Sequence, residues 1–208
     1  MIVIVIDYGL GNLGSIANML RKLGAEVAIS SDIATIKQAD KLILPGVGAF
    51  DNGMRNLQDR GLVPVLNHKV LQDKTPILGL CLGVQLFTRR SEEGSLPGFG
   101  WLNADTIRFK FNQCKSKLKI PHMGWNYVNI KQDGPLWTDF EHEEDIRYYF
   151  VHSFHLLCHD EANILATTVY GYEFPSVVKK GNIIGTQFHP EKSHKYGMKL
   201  LKNFMEFF

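Results

Sequence analysis

Cysteine is scarce in this chain: Cys81, Cys114 and Cys158 are the only three in 208 residues. Three thiols cannot build a disulfide framework, and such usage points to a reducing compartment. Long apolar runs are missing too, none approaching the roughly 18 residues of a membrane helix. The apolar opening, Met1 to Ile6, is short and lacks a basic leader and a cleavage site. It reads as a buried strand and not as a signal peptide. A cytoplasmic location, away from any membrane, is the expectation. Charge of either sign is not in excess: the formal net charge of +2 singles out no acidic partner, and no nucleic acid is expected. Repeats, low-complexity stretches and interdomain linkers are absent as well, which leaves one domain over residues 1–208.

The first half alternates strand and helix signals. Ile2–Ile6 is a β-branched run of the kind buried on both faces of a sheet. Asn12 is placed to cap a helix carrying Ile16, Met19, Leu20 and Leu23, with Gly24 as its stop. Strands are expected at Glu26–Ser30, Lys41–Leu44 and Ile77–Leu80, a short helix capped by Asp32, and one or two helices between Asp51 and Leu71. This rhythm implies an α/β fold with a parallel sheet flanked by helices. The second half carries short strand signals at 106–111, 127–130, 148–153, 165–169, 176–179 and 183–187. These are expected as antiparallel additions to the sheet, followed by an amphipathic helix from about His194 to Phe208.

The segment Gly79-Leu80-Cys81-Leu82-Gly83 joins the Ile77–Leu80 strand to a helical pattern from Val84 to Phe87. A strand entering a helix through Gly-x-Cys-x-Gly reads as a nucleophile elbow with sulfur in place of the serine oxygen. The glycines keep bulk away from the tight turn, and backbone N–H groups at the helix start favour a negative sulfur. Such a nucleophile needs a base. His189 ends the 183–188 strand in Gln187-Phe188-His189-Pro190-Glu191, and Pro190 holds it extended. Residues i and i+2 of an extended segment face the same way, so Glu191 can orient the imidazole as a triad carboxylate does. Cys81 and His189 both fall at the C-terminal ends of predicted strands, where open α/β sheets place their sites.

These motifs resemble those of the class I, triad-type glutamine amidotransferases over nearly the whole chain. Pro45-Gly46-Val47-Gly48-Ala49-Phe50 resembles the family's oxyanion loop, Gly79 to Gln85 its nucleophile motif, and Gln187 to Glu191 its His-x-Glu motif. Segments 7–13, 121–126, 150–154 and 190–193 further resemble the glutaminase subunits of imidazole glycerol phosphate synthases. The resemblance implies Cys81, His189 and Glu191 as catalytic residues and Leu82, Val47 and Gly48 as the oxyanion hole. It implies Gly46, Gln85, His152, Ser153 and Phe154 as the glutamine site. It also implies a separate (β/α)₈-barrel cyclase as partner in a heterodimer, meeting this chain at Asn12, Pro121, His122, Met123, Gly124, Trp125, Asn126 and Lys192. L-Glutamine is then the substrate, and neither cofactor nor metal is required.

Other signals point elsewhere. His152, His155, Cys158 and His159 crowd one segment, but strand alternation sends His152 and His155 to opposite faces, against a metal site. Lys115, Lys117 and Lys119 read as a solvated edge, and Ser91-Glu92-Glu93-Gly94 as a solvated loop. Departures at Val84, 154–155, 193–197 and 110–119 leave open a related subunit that supplies ammonia to amidinate a surface-polysaccharide sugar. A stand-alone cysteine hydrolase and a catalytically silent binding subunit are the alternatives of other classes.

Overall fold

The computed structural model describes residues 1–111, 118–140, 143 and 145–208; Cys114, Lys115 and Lys117 lie outside them. The first half follows the expected order: β1 (Ile2–Ile6), α1 (Leu13–Lys22), β2 (Glu26–Ser30), α2 (Ile33–Lys37), β3 (Lys41–Leu44), α3 (Phe50–Asp59), α4 (Leu62–Asn67), β4 (Ile77–Leu80) and α5 (Leu82–Leu86). The second half comprises β5 (Ala104–Arg108), β6 (His122–Tyr127), β7 (Asn129–Ile130), β8 (Arg147–His152), β9 (Phe154–Cys158), β10 (Ile164–Tyr170), β11 (Tyr172–Lys180), β12 (Ile183–Thr186) and α6 (His194–Phe207). Asp32 caps α2 as anticipated, its carboxylate accepting from Thr35 N at 2.7 Å. Asn12 stands at the N-cap of α1, but its side chain makes no capping bond.

The main sheet runs β2-β1-β3-β4-β12-β11-β10-β7. Its first five strands are parallel, β11 to β7 antiparallel. Alternation along the parallel strands divides the core between the two faces. Ile4, Ile6, Leu42, Leu44 and Ile77 pack with α2 to α5, while Val3, Val5, Ile43, Leu78 and Ile184 pack with α1 and α6. Burial on both faces is why these strands read as unbroken apolar runs.

Two expectations for the second half need correction. The 183–187 strand is no antiparallel addition: β12 lies parallel to β4, with Thr186 opposite Leu80. Moreover, β5 pairs with β9 and β6 with β8 in separate two-stranded sheets. β9 and the first five residues of β6 carried no strand signal of their own. Among the described residues no helix is long and apolar enough to cross a membrane.

Candidate active site

β4 delivers Cys81 at the top of the sheet, and the backbone there is strained. Cys81 has φ 52° and ψ −108°, a region that side-chain-bearing residues rarely occupy and that concentrates at functional turns. Its N–H is tied to Thr186 O at 2.8 Å on the neighbouring strand. The flanking glycines are required by space. A Cβ at Gly79 would lie 2.5 Å from the Phe87 ring, and one at Gly83 would overlap the Leu44 carbonyl. α5 holds only five residues, so its macrodipole is weak. What it offers the sulfur's surroundings is the N–H of Leu82, which as the first helical residue has no partner within the helix.

Because β12 pairs with β4, the chain leaving β12 brings Gln187 and His189 against Cys81. His189 Nδ1 lies 2.8 Å from Glu191 Oε1, and both side chains are 2 % exposed. The approach differs from the extended one expected: His189 is extended (φ −104°, ψ 96°), but Pro190–Lys192 form a 3₁₀ turn that swings Glu191 back to it. Tyr149 O accepts from His189 N at 3.0 Å, and Ser193 Oγ donates to His189 O at 2.6 Å, so the backbone is held at both ends. With Nδ1 committed to the carboxylate, buried Nε2 has no hydrogen-bond partner of its own. Burial alone would lower the His189 pKa. The charge and proximity of Cys81, aided by Glu191, outweigh it and raise the pKa to about 10.

A cavity of 540 Å³ opens over Cys81. Val47, Gly48 and Leu82, expected at the oxyanion hole, line it together with Gln85, His152, Ser153 and Phe154 of the expected glutamine site. Gly46 does not: it is buried behind the loop, where a Cβ would strike the Tyr8 hydroxyl and stand 2.9 Å from Leu82 Cβ. Gly48 has φ +109°, a conformation natural to glycine. Buried Tyr8 donates to Pro45 O at 2.6 Å and so braces this loop from below. Its phenol pKa is pushed up strongly by burial and by the Cys81 charge.

Ala49, Glu93, Pro121 and Val151 also line the cavity without having been assigned to it. Glu93 is the informative one. Its Oε2 accepts from Phe50 N at 2.9 Å, which fixes a carboxylate at the rim, suited to an ammonium group. The Ser91–Gly94 segment was legible as a motif, but a charged loop residue gives no sign that the fold will turn it toward a cavity.

Of the expected interface positions, Asn12, Pro121, Met123, Trp125 and Lys192 are exposed, and Gly124 and Asn126 partly buried. His122 departs from the expectation, being 3 % exposed with its ring turned inward. His152 and His155 are likewise not on opposite sides: both contact Phe109, with ring centroids 5.2 and 4.5 Å away. Ser153 separates β8 from β9, and that break resets the alternation.

A class-I glutamine amidotransferase family model matches residues 4–207. Imidazole glycerol phosphate synthase subunit HisH 2 of Methanococcus maripaludis is 54% identical over 97% of this chain and 98% of its own length. The HisH 2 subunit of Pseudomonas aeruginosa is 47% identical over 98% of each. Among solved structures, PurLQS from Thermotoga maritima superposes with a TM-score of 0.73 at 20% identity, over 98% of this chain and 97% of that one, a likeness of fold. The chain belongs to the class-I glutamine amidotransferases, in their branch of HisH subunits of imidazole glycerol phosphate synthase.

Proposed function

We propose that this chain, as one glutaminase domain, hydrolyses L-glutamine and hands the ammonia to a separate (β/α)₈-barrel cyclase in a cytoplasmic heterodimer. There the ammonia would complete imidazole glycerol phosphate, with release of an aminoimidazole carboxamide ribotide, in histidine biosynthesis. The observation that carries the reading is the buried His189–Glu191 pair set behind a strained Cys81 that faces a cavity.

The chemistry follows from that placement. Cys81 Sγ attacks the side-chain amide carbon of glutamine. Negative charge gathers on the amide oxygen, where the Leu82 N–H and a donor from the Val47–Gly48 segment meet it; one such donor is worth about 3–4 kcal/mol in the transition state. His189, with Nδ1–H held by Glu191, gives its Nε2 proton to the leaving nitrogen, and ammonia departs. The same nitrogen then takes a proton from water, whose oxygen cleaves the thioester to glutamate. Glu93 at the rim is placed for the α-ammonium group, and Gln85 for the side-chain amide. The steps call on no cofactor.

Ammonia transfer requires a docked partner, and the exposure of Met123 and Trp125 supports docking on the face they share. A second acceptor rests on the chain's own departures from the commonest family pattern, Val84, Phe154-His155 and residues 193–197 among them. These leave room for a different barrel, such as one that amidinates a surface-polysaccharide sugar. Glutamate production by the chain, alone and with each candidate barrel plus its acceptor, tests the reading. A rise with the histidine-pathway barrel is expected, and full activity without any partner would contradict it. Cys81→Ala is expected to abolish glutamine use while the intact complex still makes product from ammonia.

A further inference from the structure

From the surface at Asn126 to His152 in the cavity wall runs a line of hydrogen bonds whose direction is fixed at both ends by backbone groups. Tyr127 N donates to Asn126 Oδ1 at 2.8 Å, and Val169 O accepts from Asn126 Nδ2 at 3.0 Å. A backbone N–H can only donate and a carbonyl only accept, so the Asn126 amide has one possible orientation. Its Nδ2 therefore donates to His122 Nε2 at 3.1 Å. The His122 proton must then sit on Nδ1, which donates to His152 Nε2 at 3.0 Å. That in turn places the His152 proton on Nδ1, where it meets Phe154 O at 2.7 Å. Each tautomer is set by its neighbour, and a reversal at one ring would bring two lone pairs face to face.

The Phe154 carbonyl takes a second donor, Gln85 Nε2 at 2.9 Å, and that nitrogen also donates to Gln187 Oε1 at 3.2 Å. Gln85 thus spends both amide hydrogens on the protein. Oε1 is the atom it has left for a ligand in the cavity it lines. An acceptor oxygen there suits the NH₂ of a carboxamide and repels a carboxylate.

We propose that His122 is a positioning residue: by fixing the tautomer of His152 it fixes the Phe154 carbonyl, and so the way Gln85 presents its oxygen to the substrate amide. The role rests on the glutaminase reading and deepens it, since it explains how the site distinguishes an amide from an acid. Burial holds His122 neutral, with its pKa down at about 4, and drives His152 well below the ordinary imidazole value. Both rings are therefore in the uncharged form that the line of bonds requires. The line also begins on β6, the strand whose other face carries Met123 and Trp125.

Two substitutions separate this role from packing. His122 stacks on Phe150 and Tyr170, with centroids 4.8 and 4.0 Å away. His122→Phe keeps that stacking and loses the donor. His122→Asn sacrifices the stacking but puts an amide N–H near the position of Nδ1. The readout is the concentration of L-glutamine that halves the rate at which 6-diazo-5-oxo-L-norleucine, a glutamine-like electrophile, labels Cys81 in the full chain; glutamine carries the amide N–H that the diazoketone lacks. With His122→Phe this half-protecting concentration is expected to rise about tenfold, the effect of one unpaired buried acceptor, with the labelling rate in the absence of glutamine little changed. His122→Asn is expected to recover most of that loss. Protection of His122→Phe at the wild-type concentration, or of His122→Asn only at a higher one than His122→Phe, would overturn the proposal. Failure of the wild type itself to label would instead remove the glutaminase reading, and this role with it. A long-range ¹H–¹⁵N spectrum of the wild-type imidazoles needs no variant to fold. It is expected to show His122 and His152 both as Nδ1–H tautomers, and an Nε2–H on either overturns the assignment.

Discussion

His189 is the residue on which opposing forces meet most plainly. Burial would discharge it, and Cys81 and Glu191 together hold its charge, leaving its pKa at about 10. An unfolded histidine titrates near 6.5, about where the stabilisation it lends is still complete. As the folded value is the higher one, that stabilisation is lost as the pH rises through about 10. In Cys81→Ala the burial remains and the largest favourable partner is gone, so the loss should come at lower pH. Melting temperatures of the two proteins between neutral pH and the alkaline end measure this; coincident curves would show that Cys81 does not act on His189. The Cys81–His189–Glu191 set was legible because each member sits in a motif with its own local logic. Glu93 and His122 were not, because nothing within a few residues of either tells which way the fold will turn the side chain.

At the scale of elements, the loop between β3 and α3, proposed to hold the oxyanion, depends on its backbone shape. Gly48 has φ +109° and open space where a Cβ would be. Gly48→Ala therefore meets no clash, and its cost is conformational, on the order of 1–3 kcal/mol. If that cost is relieved by rotating the loop, kcat for glutamine should fall about tenfold or more, with a melting temperature close to the wild type. An unchanged kcat would mean that the loop's shape does not set the rate. β6 shows the limit of alternation as a guide: Met123 and Trp125 are expected on a partner face from the resemblance, not from their spacing. Its apolar positions Met123, Trp125 and Tyr127 alternate as a core face would, yet they are 62, 44 and 51 % exposed, while His122 faces inward. Alternation fixes which residues share a face and not which face is wet. The β-branched strands of the first half escape this ambiguity because both their faces are buried. The two small sheets pair strands far apart in sequence, β5 with β9 and β6 with β8, so no local signal could place them.

For the whole molecule, Met123 and Trp125 stand exposed on β6, close in sequence to Pro121 at the cavity, and the proposed function makes this the face its partner covers. Trp125 stacks on His194 with the rings nearly parallel at 5.6 Å, which presents the indole as a rigid plate. Trp125→Ala should weaken binding of the barrel partner by about 2 kcal/mol or more, as aromatic anchors at interfaces do. Labelling of Cys81 in the isolated chain should be unaffected. Calorimetric titration with the partner reads the first and mass spectrometry the second; unchanged affinity would place the interface elsewhere. The fold's division of labour is that the parallel half of the sheet brings Cys81 and His189 together at adjacent strand ends, while the small sheets supply part of the cavity wall and the face that carries the exposed Met123 and Trp125.

Glutamine hydrolysis by this chain depends most on Cys81 being the nucleophile that meets the substrate. The direct measurement is peptide mapping of the intact chain after reaction with 6-diazo-5-oxo-L-norleucine, with and without competing glutamine. One adduct per chain, on Cys81, suppressed by glutamine and absent from His189→Ala, is the predicted result. An adduct on Cys158 instead, or labelling of Cys81 that glutamine does not slow, would contradict the account.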